Sequence, residues 1–429
     1  MDEVFDAIVV GGGLAGLSAA YTLAQEGREV VVLERGDYSG AKNLTGGRLY
    51  VSPIRDMFPD LWKKAPLQRA VTREDICLMG TENSVNISYA GPELGGETPQ
   101  SYTVLRGVFD KWFAKQAARK GAMIVNNTLV VDLLKEGDQV VGVKTEAGEE
   151  LRARVVIAAD GALSFTAQAA GMKPEFVDHD YAVGVKELIE IDPELIDNRF
   201  NVAEGEGCAR LYLGDATEGK FGGGFLYTNK DSISIGIVAG IKDLAASGTT
   251  APQMFEHFKQ RPEIQELIKG GETVEYGAHV ISEAGKKAFS KLVGNGILVT
   301  GDAAGMGMNI GLLVRGMEYA MASGYYAAKA VNEACEAGKY DAAQLSSYQK
   351  MIDDSFVGKD FESFKKAPEV LDKPYIFEEM PSMIGNLFRD LFGVPSDSPK
   401  EKIWPTARKT FTVGNLVKMA KNLGGFRKL

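Results

Sequence analysis

Gly11, Gly13 and Gly16 stand at G-x-G-x-x-G spacing between an apolar run, residues 8–10, and a run of helix formers, residues 17–24. Strand, tight turn and helix start in that order make an anion site, because the helix end presents unpaired N–H groups. Gly11 permits the turn, Gly13 lets a pyrophosphate approach the backbone, and Gly16 lets the helix pack close to the strand. A second apolar run, residues 30–33, ends at Glu34, 18 residues after Gly16, where a ribose hydroxyl needs an acceptor. Two more acids close later apolar runs. Asp160-Gly161 follows residues 155–159, and Gly301-Asp302 follows residues 298–300. Asp302 can accept from a ribose or ribityl hydroxyl, and the glycine-rich helix start read behind it offers free N–H groups and a positive dipole end. A dipole aimed there would favour the negative charge of a reduced flavin ring. These residues suit a bound dinucleotide.

Other polar positions are less specific. Arg35, Lys42 and Arg48 lie in residues 35–50, where Gly40, Gly46 and Gly47 imply a loop, either lining a cofactor or solvated at the surface. Arg106 opens a helix with Val108, Trp112, Phe113 and Ala117 on one side and Gly121 as its stop. It can hold a phosphate, a partner carboxylate or a surface ion pair. Cys77, Cys208 and Cys335 share no zinc or iron–sulfur spacing, and His179, His257 and His279 share no metal-like spacing. No metal site and no catalytic side chain is expected.

The elements that must position these groups read as α/β. Residues 155–159 form a buried strand that ends at Asp160, on the face where a doubly wound sheet binds ligands. This strand and the first therefore share one Rossmann-like sheet, although about 140 residues separate them. Strands are expected over 73–88, 123–131, 139–145 and 150–157. From residue 181 to about residue 276, AVGVKELIEI, ARLYLG, GGGFLYTN and SISIGIVAG read as antiparallel strands, with a helical insert over 251–268. The expected division is a discontinuous nucleotide domain (1–75, 101–172 and 277–345), an inserted β-rich substrate domain (76–100 and 173–276), and a helical C-terminal region (346–429).

Composition bounds the partners. Lys and Arg total 48 against 58 Asp and Glu, a net charge of −10 that argues against nucleic acid. Apolar content of 45% is that of a soluble globular protein. No signal peptide fits ahead of the first strand, and no apolar run is long enough for a bilayer, so the cytoplasm or the cytoplasmic face of a membrane is expected. Met380, Met383, Ile384, Leu387, Phe388, Leu391 and Phe392 form one helical stripe, facing a core or a membrane. After Glu401 no acid follows. Lys402, Arg408, Lys409, Lys418, Lys421, Arg427 and Lys428 are interleaved with Phe411, Val413, Leu416, Val417, Met419, Leu423 and Phe426. A basic, apolar tail on an acidic protein suits an anionic membrane surface or an acidic partner subunit.

The glycine turn, Glu34-Arg35, Asp160-Gly161 and Gly301-Asp302 together resemble the FAD-binding set of the glutathione-reductase-type flavoproteins. Within that group, GAKNLTGGRLY (40–50), VGVKELIE (183–190), GGGFLYTN (222–229) and GDAAGMGMNIGLLVRGMEYAMASG (301–324) are similar to the FixC branch of the electron-transfer flavoprotein:quinone oxidoreductase family. The resemblance spans nearly the whole chain and implies FAD as cofactor. It implies that Gly11, Gly13 and Gly16, with Leu14 and Ala15, hold the pyrophosphate and Glu34 the adenosine ribose. Arg35, Lys42, Gly46, Gly47 and Val130 join the cofactor-binding set. Arg106, Asp160 and Gly161 would line the second side. Gly301 and Asp302 would take the ribityl chain, with Gly307, Met308 and Asn309 near the isoalloxazine ring. Gly223, Gly224 and Phe225 would line a quinone pocket.

The implied partners are an electron-transfer flavoprotein heterodimer, a ferredoxin-like iron–sulfur subunit and a membrane quinone, with electron bifurcation by the donor in some members. Single-chain quinone oxidoreductases carry their own iron–sulfur cluster. With no cysteine after Cys335, such a cluster is expected here on a separate subunit or not at all. Three other readings share the scaffold. An aromatic hydroxylase is disfavoured by Ala167 where an arginine is usual and by Gly305 where a histidine is usual. A geranylgeranyl-type reductase shares GDAAG and the second-domain glycines. An FAD subunit that only relays electrons would bind FAD yet reduce no quinone.

Overall fold

The computed structural model describes residues 4–43 and 46–428; nothing is said of the side chains of Phe426 and Lys428. Leu44 and Thr45 of the GAKNLTGGRLY motif, and the side chains of Phe426 and Lys428 in the basic tail, thus lie outside what is described.

Val4–Val10 lies between Val30–Leu33 and Glu150–Ala158, all parallel; Met123–Val125 and Ile297–Val299 extend the sheet on either side. Val30–Leu33 and the second half of Val4–Val10 are buried. A parallel sheet is covered on both faces, so its strands read as apolar runs rather than alternations. The carboxyl ends of three of these strands bring Gly11, Asp160 and Asp302 to one edge. Helices Leu14–Gln25 and Met317–Ala337 pack against each other at close range. A Cβ at Gly324 would come within 2.0 Å of the Ala15 carbonyl oxygen, and one at Gly301 within 2.7 Å of the Ala15 Cβ.

Two local expectations are corrected. Residues 123–131 are not one strand: Met123–Val125 stays in the parallel sheet, while Val130–Glu136 begins a hairpin with Gln139–Thr145. The chain breaks where Asn127 N and Thr128 N donate to the carbonyls of Gly36 and Glu34 (2.9 and 2.8 Å). Nor does a helix start directly behind Asp302. Gly301–Ala304 is one tight turn, closed by Gly305 at φ 81°, and the hairpin Met308–Asn309/Val314–Arg315 intervenes before Met317.

The second sheet has nine strands, in the order Glu272–Ser282, Tyr181–Glu190, Ser232–Gly240, Gly222–Thr228, Glu206–Gly214, Ala70–Met79, Ser101–Val104, Gly47–Tyr50, with Ser84–Tyr89 beside Ala70–Met79. One face is sealed: Val185, Tyr212, Leu226, Ile235 and Ile237 form a core with Met254, Phe255 and Phe258. The insert supplying those aromatics is two helices, Ala251–Gln260 and Pro262–Ile268, because Pro262 cannot continue the first. The segment edges shift. Gly47–Tyr50 and Ser101–Val104, read from sequence as parts of the nucleotide domain, pair with each other in the second sheet, and Glu272–Ser282 runs across the 276/277 boundary. Strand patterns reveal an element but not the sheet it joins.

The C-terminal stripe divides. Met380 and Ile384 pack on a cluster of Leu78, Leu213, Ile376 and Phe377, whereas Phe392 is 77% exposed.

Candidate functional site

Where the strand ends of the first sheet meet the open face of the second lies one elongated cavity of about 450 Å³. At one end is the glycine turn. Gly11 adopts φ +104°, and a Cβ there would come within 2.4 Å of the Ala159 carbonyl oxygen, so the turn admits no side chain. Gly13 caps the helix Leu14–Gln25 in an extended conformation, with no side-chain cap and no acid in the first turn. A Cβ on Gly13 would point into open space. The uncapped helix end therefore faces the cavity across bare backbone, which fits a pyrophosphate.

Glu34 fixes this arrangement. Its carboxylate is buried and accepts from Gly12 N (2.8 Å) and Gly36 N (2.6 Å). Both oxygens keep lone pairs for a ribose hydroxyl. Leu14, Ala15, Arg35, Lys42, Gly46, Gly47 and Val130 line the same cavity. Gly16 does not. A Cβ there would meet the Gly11 carbonyl oxygen at 2.0 Å, so its place is between turn and helix. Gly301 likewise lies in the helix packing rather than on the cavity wall.

Farther along, Arg106, Asp160, Gly161 and Asp302 line the wall. Arg106 is held bidentate by Asp110 of its own helix (2.9 and 2.7 Å), and Asn43 Nδ2 also donates to Asp110 (2.8 Å). The partner carboxylate considered from sequence is therefore present, and it aims the guanidinium. Asp160 accepts from Ser164 Oγ (2.6 Å) and Thr166 N (2.9 Å). Lys173 Nζ donates to the Ala303 carbonyl (3.3 Å); burial lowers its pKa, and the charges of Asp160 and Asp302 oppose that. Gly307, Met308 and Asn309 follow. Asn309 Oδ1 accepts from Gly311 N (2.8 Å) and its Nδ2 donates to Glu283 (3.1 Å).

The opposite wall is the second sheet. Gly184 and Lys186, Gly236, Gly223 and Phe225 share its cavity face by register. A Cβ on Gly236 would come within 2.6 Å of the Phe225 ring, so the ring lies over that glycine. Phe225 also stacks with Tyr227, centroids 5.5 Å apart. Gly223 and Phe225 are thus brought to the cavity wall. Gly224 belongs to the wall by its backbone, but its Cβ direction points the other way, 2.8 Å from the Phe258 ring. Its missing side chain makes room for the helix behind the sheet.

Sequence reasoning missed several wall residues. Lys186 Nζ donates to the Gly46 carbonyl; burial, with Arg106 nearby, pushes its pKa down to about 7. Burial pushes Glu283 up to about 7, against the hydrogen bond from Asn309. Burial also holds His279 below the usual imidazole range, against the pull of Asp302. Leu213, Phe221, Leu371 and Phe377 extend the cavity as an apolar end towards the C-terminal helices. Lys186 had a signal: a lysine inside the otherwise apolar VGVKELIE strand. The others come from distant strands and helices and had none.

The sequence description of the FAD dependent oxidoreductase family matches residues 6–175, and that of the ETF-QO ubiquinone-binding family matches residues 181–281. A "probable electron transfer flavoprotein-quinone oxidoreductase", YdiS of Escherichia coli (strain K12), is 42% identical over 97% of both chains. "Protein FixC" of Salmonella typhimurium is 41% identical, also over 97% of both chains. Among solved structures, a geranylgeranyl bacteriochlorophyll reductase-like protein from Thermoplasma acidophilum superposes with a TM-score of 0.74, covering 99% of this chain and all of its own, at 22% identity. That last likeness is one of fold.

Glu34→Ala should weaken FAD binding. A hydrogen bond to a charged group contributes about 1.5–3 kcal/mol, so the dissociation constant of apoprotein for FAD, read by flavin fluorescence, should rise roughly tenfold or more. An unchanged constant would contradict the assignment.

Proposed function

We propose a function from the family to which the chain belongs, that of the FixC proteins and electron transfer flavoprotein-quinone oxidoreductases: it takes electrons from an electron-transfer flavoprotein and passes them to a membrane quinone. The chain is an FAD-dependent oxidoreductase. The observation that carries the acceptor reading is the shared cavity, in which the wall built by the ubiquinone-binding segment faces the nucleotide turn without an intervening layer.

FAD, when bound, supplies the two-electron chemistry. The chain's residues do the rest. The glycine turn and helix end hold the pyrophosphate, Glu34 the adenosine ribose, and Asp302 the ribityl chain. Gly307, Met308 and Asn309 border the ring position. Gly223 and Phe225 offer a flat, nearly side-chain-free surface against which a quinone head can lie. Leu213, Phe221, Leu371 and Phe377 give its apolar tail a lining and keep water out.

The partners follow the same reading. Cys77 and Cys208 are buried, and with Cys335 they are too few for a four-cysteine cluster, so an iron–sulfur centre is either carried by a separate ferredoxin-like subunit or absent. The setting is a FixABCX-type complex, the electron-bifurcating form included. Among the described residues no helix is long and apolar enough to cross a membrane. Peripheral contact, on the cytoplasmic face, falls to the helices Ile403–Thr410 and Val413–Leu423. They expose Ile403, Trp404, Val413 and Val417 beside Lys402, Arg408 and Lys421. Apolar side chains among cations suit an anionic lipid surface.

Two experiments test this reading. With FAD photoreduced under anaerobic conditions, a short-chain ubiquinone or menaquinone should restore the oxidised spectrum rapidly. Phe225→Ala should slow that return about tenfold, the order expected for losing one packed aromatic contact, with FAD still bound. A reduced spectrum that persists in the presence of quinone would leave only a relay subunit or another acceptor. For the membrane contact, Ile403→Glu/Trp404→Glu should cut co-sedimentation with phosphatidylglycerol vesicles by about tenfold or more. Undiminished co-sedimentation would rule out these helices as the contact.

A further inference from the structure

Lys186 lies on the second sheet's cavity face, on Tyr181–Glu190, the strand next to the edge, between Ser232–Gly240 and Glu272–Ser282. Gly236 is its register neighbour on one side and Gly277 on the other, so no side chain stands beside it in the ladder. It is buried, donates to the Gly46 carbonyl, and lies 5.9 Å from the centre of the Phe225 ring. The ring and the carbonyl hold the amine towards the cavity, between the glycine turn and the wall of Gly223 and Phe225.

The charges around Lys186 come from more than one element. Arg106 faces it from its helix and Glu275 from the neighbouring strand; His279, on that same strand, interacts with Lys186 and also with Asp302 of its turn and Arg35 of the loop after Glu34. Arg106 is fixed as a cation by its bidentate contact with Asp110. Burial keeps His279 neutral near neutrality. Burial and Arg106 bring Lys186 to about 7, with Glu275 opposing. Lys186 is therefore a group in this ring whose charge can change near neutral pH, as is Glu283, which faces Asn309. A negative charge brought into the cavity favours the ammonium form of a neighbouring amine.

We propose that Lys186 takes up one proton when the bound flavin is reduced, and so stores on the cavity wall the second proton that quinone reduction needs. Converting a quinone to a quinol consumes two electrons and two protons. Both electrons and one proton arrive with the flavin. The other proton leaves the Lys186 ammonium, whose N–H bond breaks to give the amine. Solvent returns that proton at the next reduction by the electron donor. Delivery to quinone rests on the function proposed above; proton uptake by Lys186 rests on FAD binding alone.

The test is a spectroelectrochemical titration of the FAD-loaded chain without quinone, from about pH 6 to about pH 9, read as protons taken up per two electrons. Towards the alkaline end of that range, uptake by the native chain should rise from one towards two. In Lys186→Arg the cation stays but cannot lose its proton, so uptake should remain at one throughout. A side chain with a merely structural role would not produce that difference. If Lys186→Met fails to bind FAD, the arginine variant still decides. A second proton that persists in Lys186→Arg would overturn the proposal, as would a second proton abolished by Glu283→Gln while Lys186 is intact. Because quinone is absent, failure here is distinct from failure of the acceptor reading.

Discussion

The carboxylate of Glu34 is the contact on which the site depends. Its two oxygens accept from Gly12 N and Gly36 N, while its own backbone N–H donates to Val125 O and its carbonyl accepts from Thr128 N. One residue thus ties the glycine turn, the loop after the second strand and the exit of the strand at 123–125 into a single geometry. Charge-assisted bonds of this kind, protected from water, contribute about 1.5–3 kcal/mol each. They also have a geometric effect: with the turn held inward by Glu34, Gly13 leaves the helix end facing the cavity with no side chain in front of it. Packing completes the constraint, because Gly16 and Gly324 let the helices approach backbone to backbone at distances no Cβ would permit.

The second sheet answers that edge with a surface of the opposite kind. Its sealed face is filled by Ile235, Ile237 and Phe258, whereas its cavity face alternates glycines with Phe225, Tyr227 and one lysine. A wall of that composition binds by flatness and dispersion. Binding, orientation and dryness are then the protein's share, and electron transfer the cofactor's. The apolar end of the cavity leads towards Phe377 and the C-terminal layer, whose outer helices expose Ile403 and Trp404.

The nucleotide half of the site was legible in the sequence because it is local. Gly11, Gly13 and Glu34 sit within a single strand–helix–strand unit, where spacing alone implies geometry. Asp160 and Asp302 were legible because each closes a buried parallel strand. The far wall was not, because its residues meet only through register. His279 becomes a neighbour of Gly184 by strand pairing, and Phe221 meets Phe377 across two regions of the chain. The same limit explains why Gly47–Tyr50 and Ser101–Val104 read as nucleotide-domain segments although they pair in the second sheet. It also explains Gly224, whose motif pointed to the cavity although its Cβ direction points to Phe258. Glycine reports that a side chain is excluded, not from which direction.

The most direct measurement of the shared cavity is photolabelling of the FAD-loaded chain with an azidoquinone, followed by peptide mapping. The account predicts label within Gly222–Thr228 or at Leu371 and Phe377, and protection of those sites by excess unlabelled quinone. Label confined to other surfaces, unaffected by competing quinone, would contradict the claim that one cavity serves both the flavin and its acceptor.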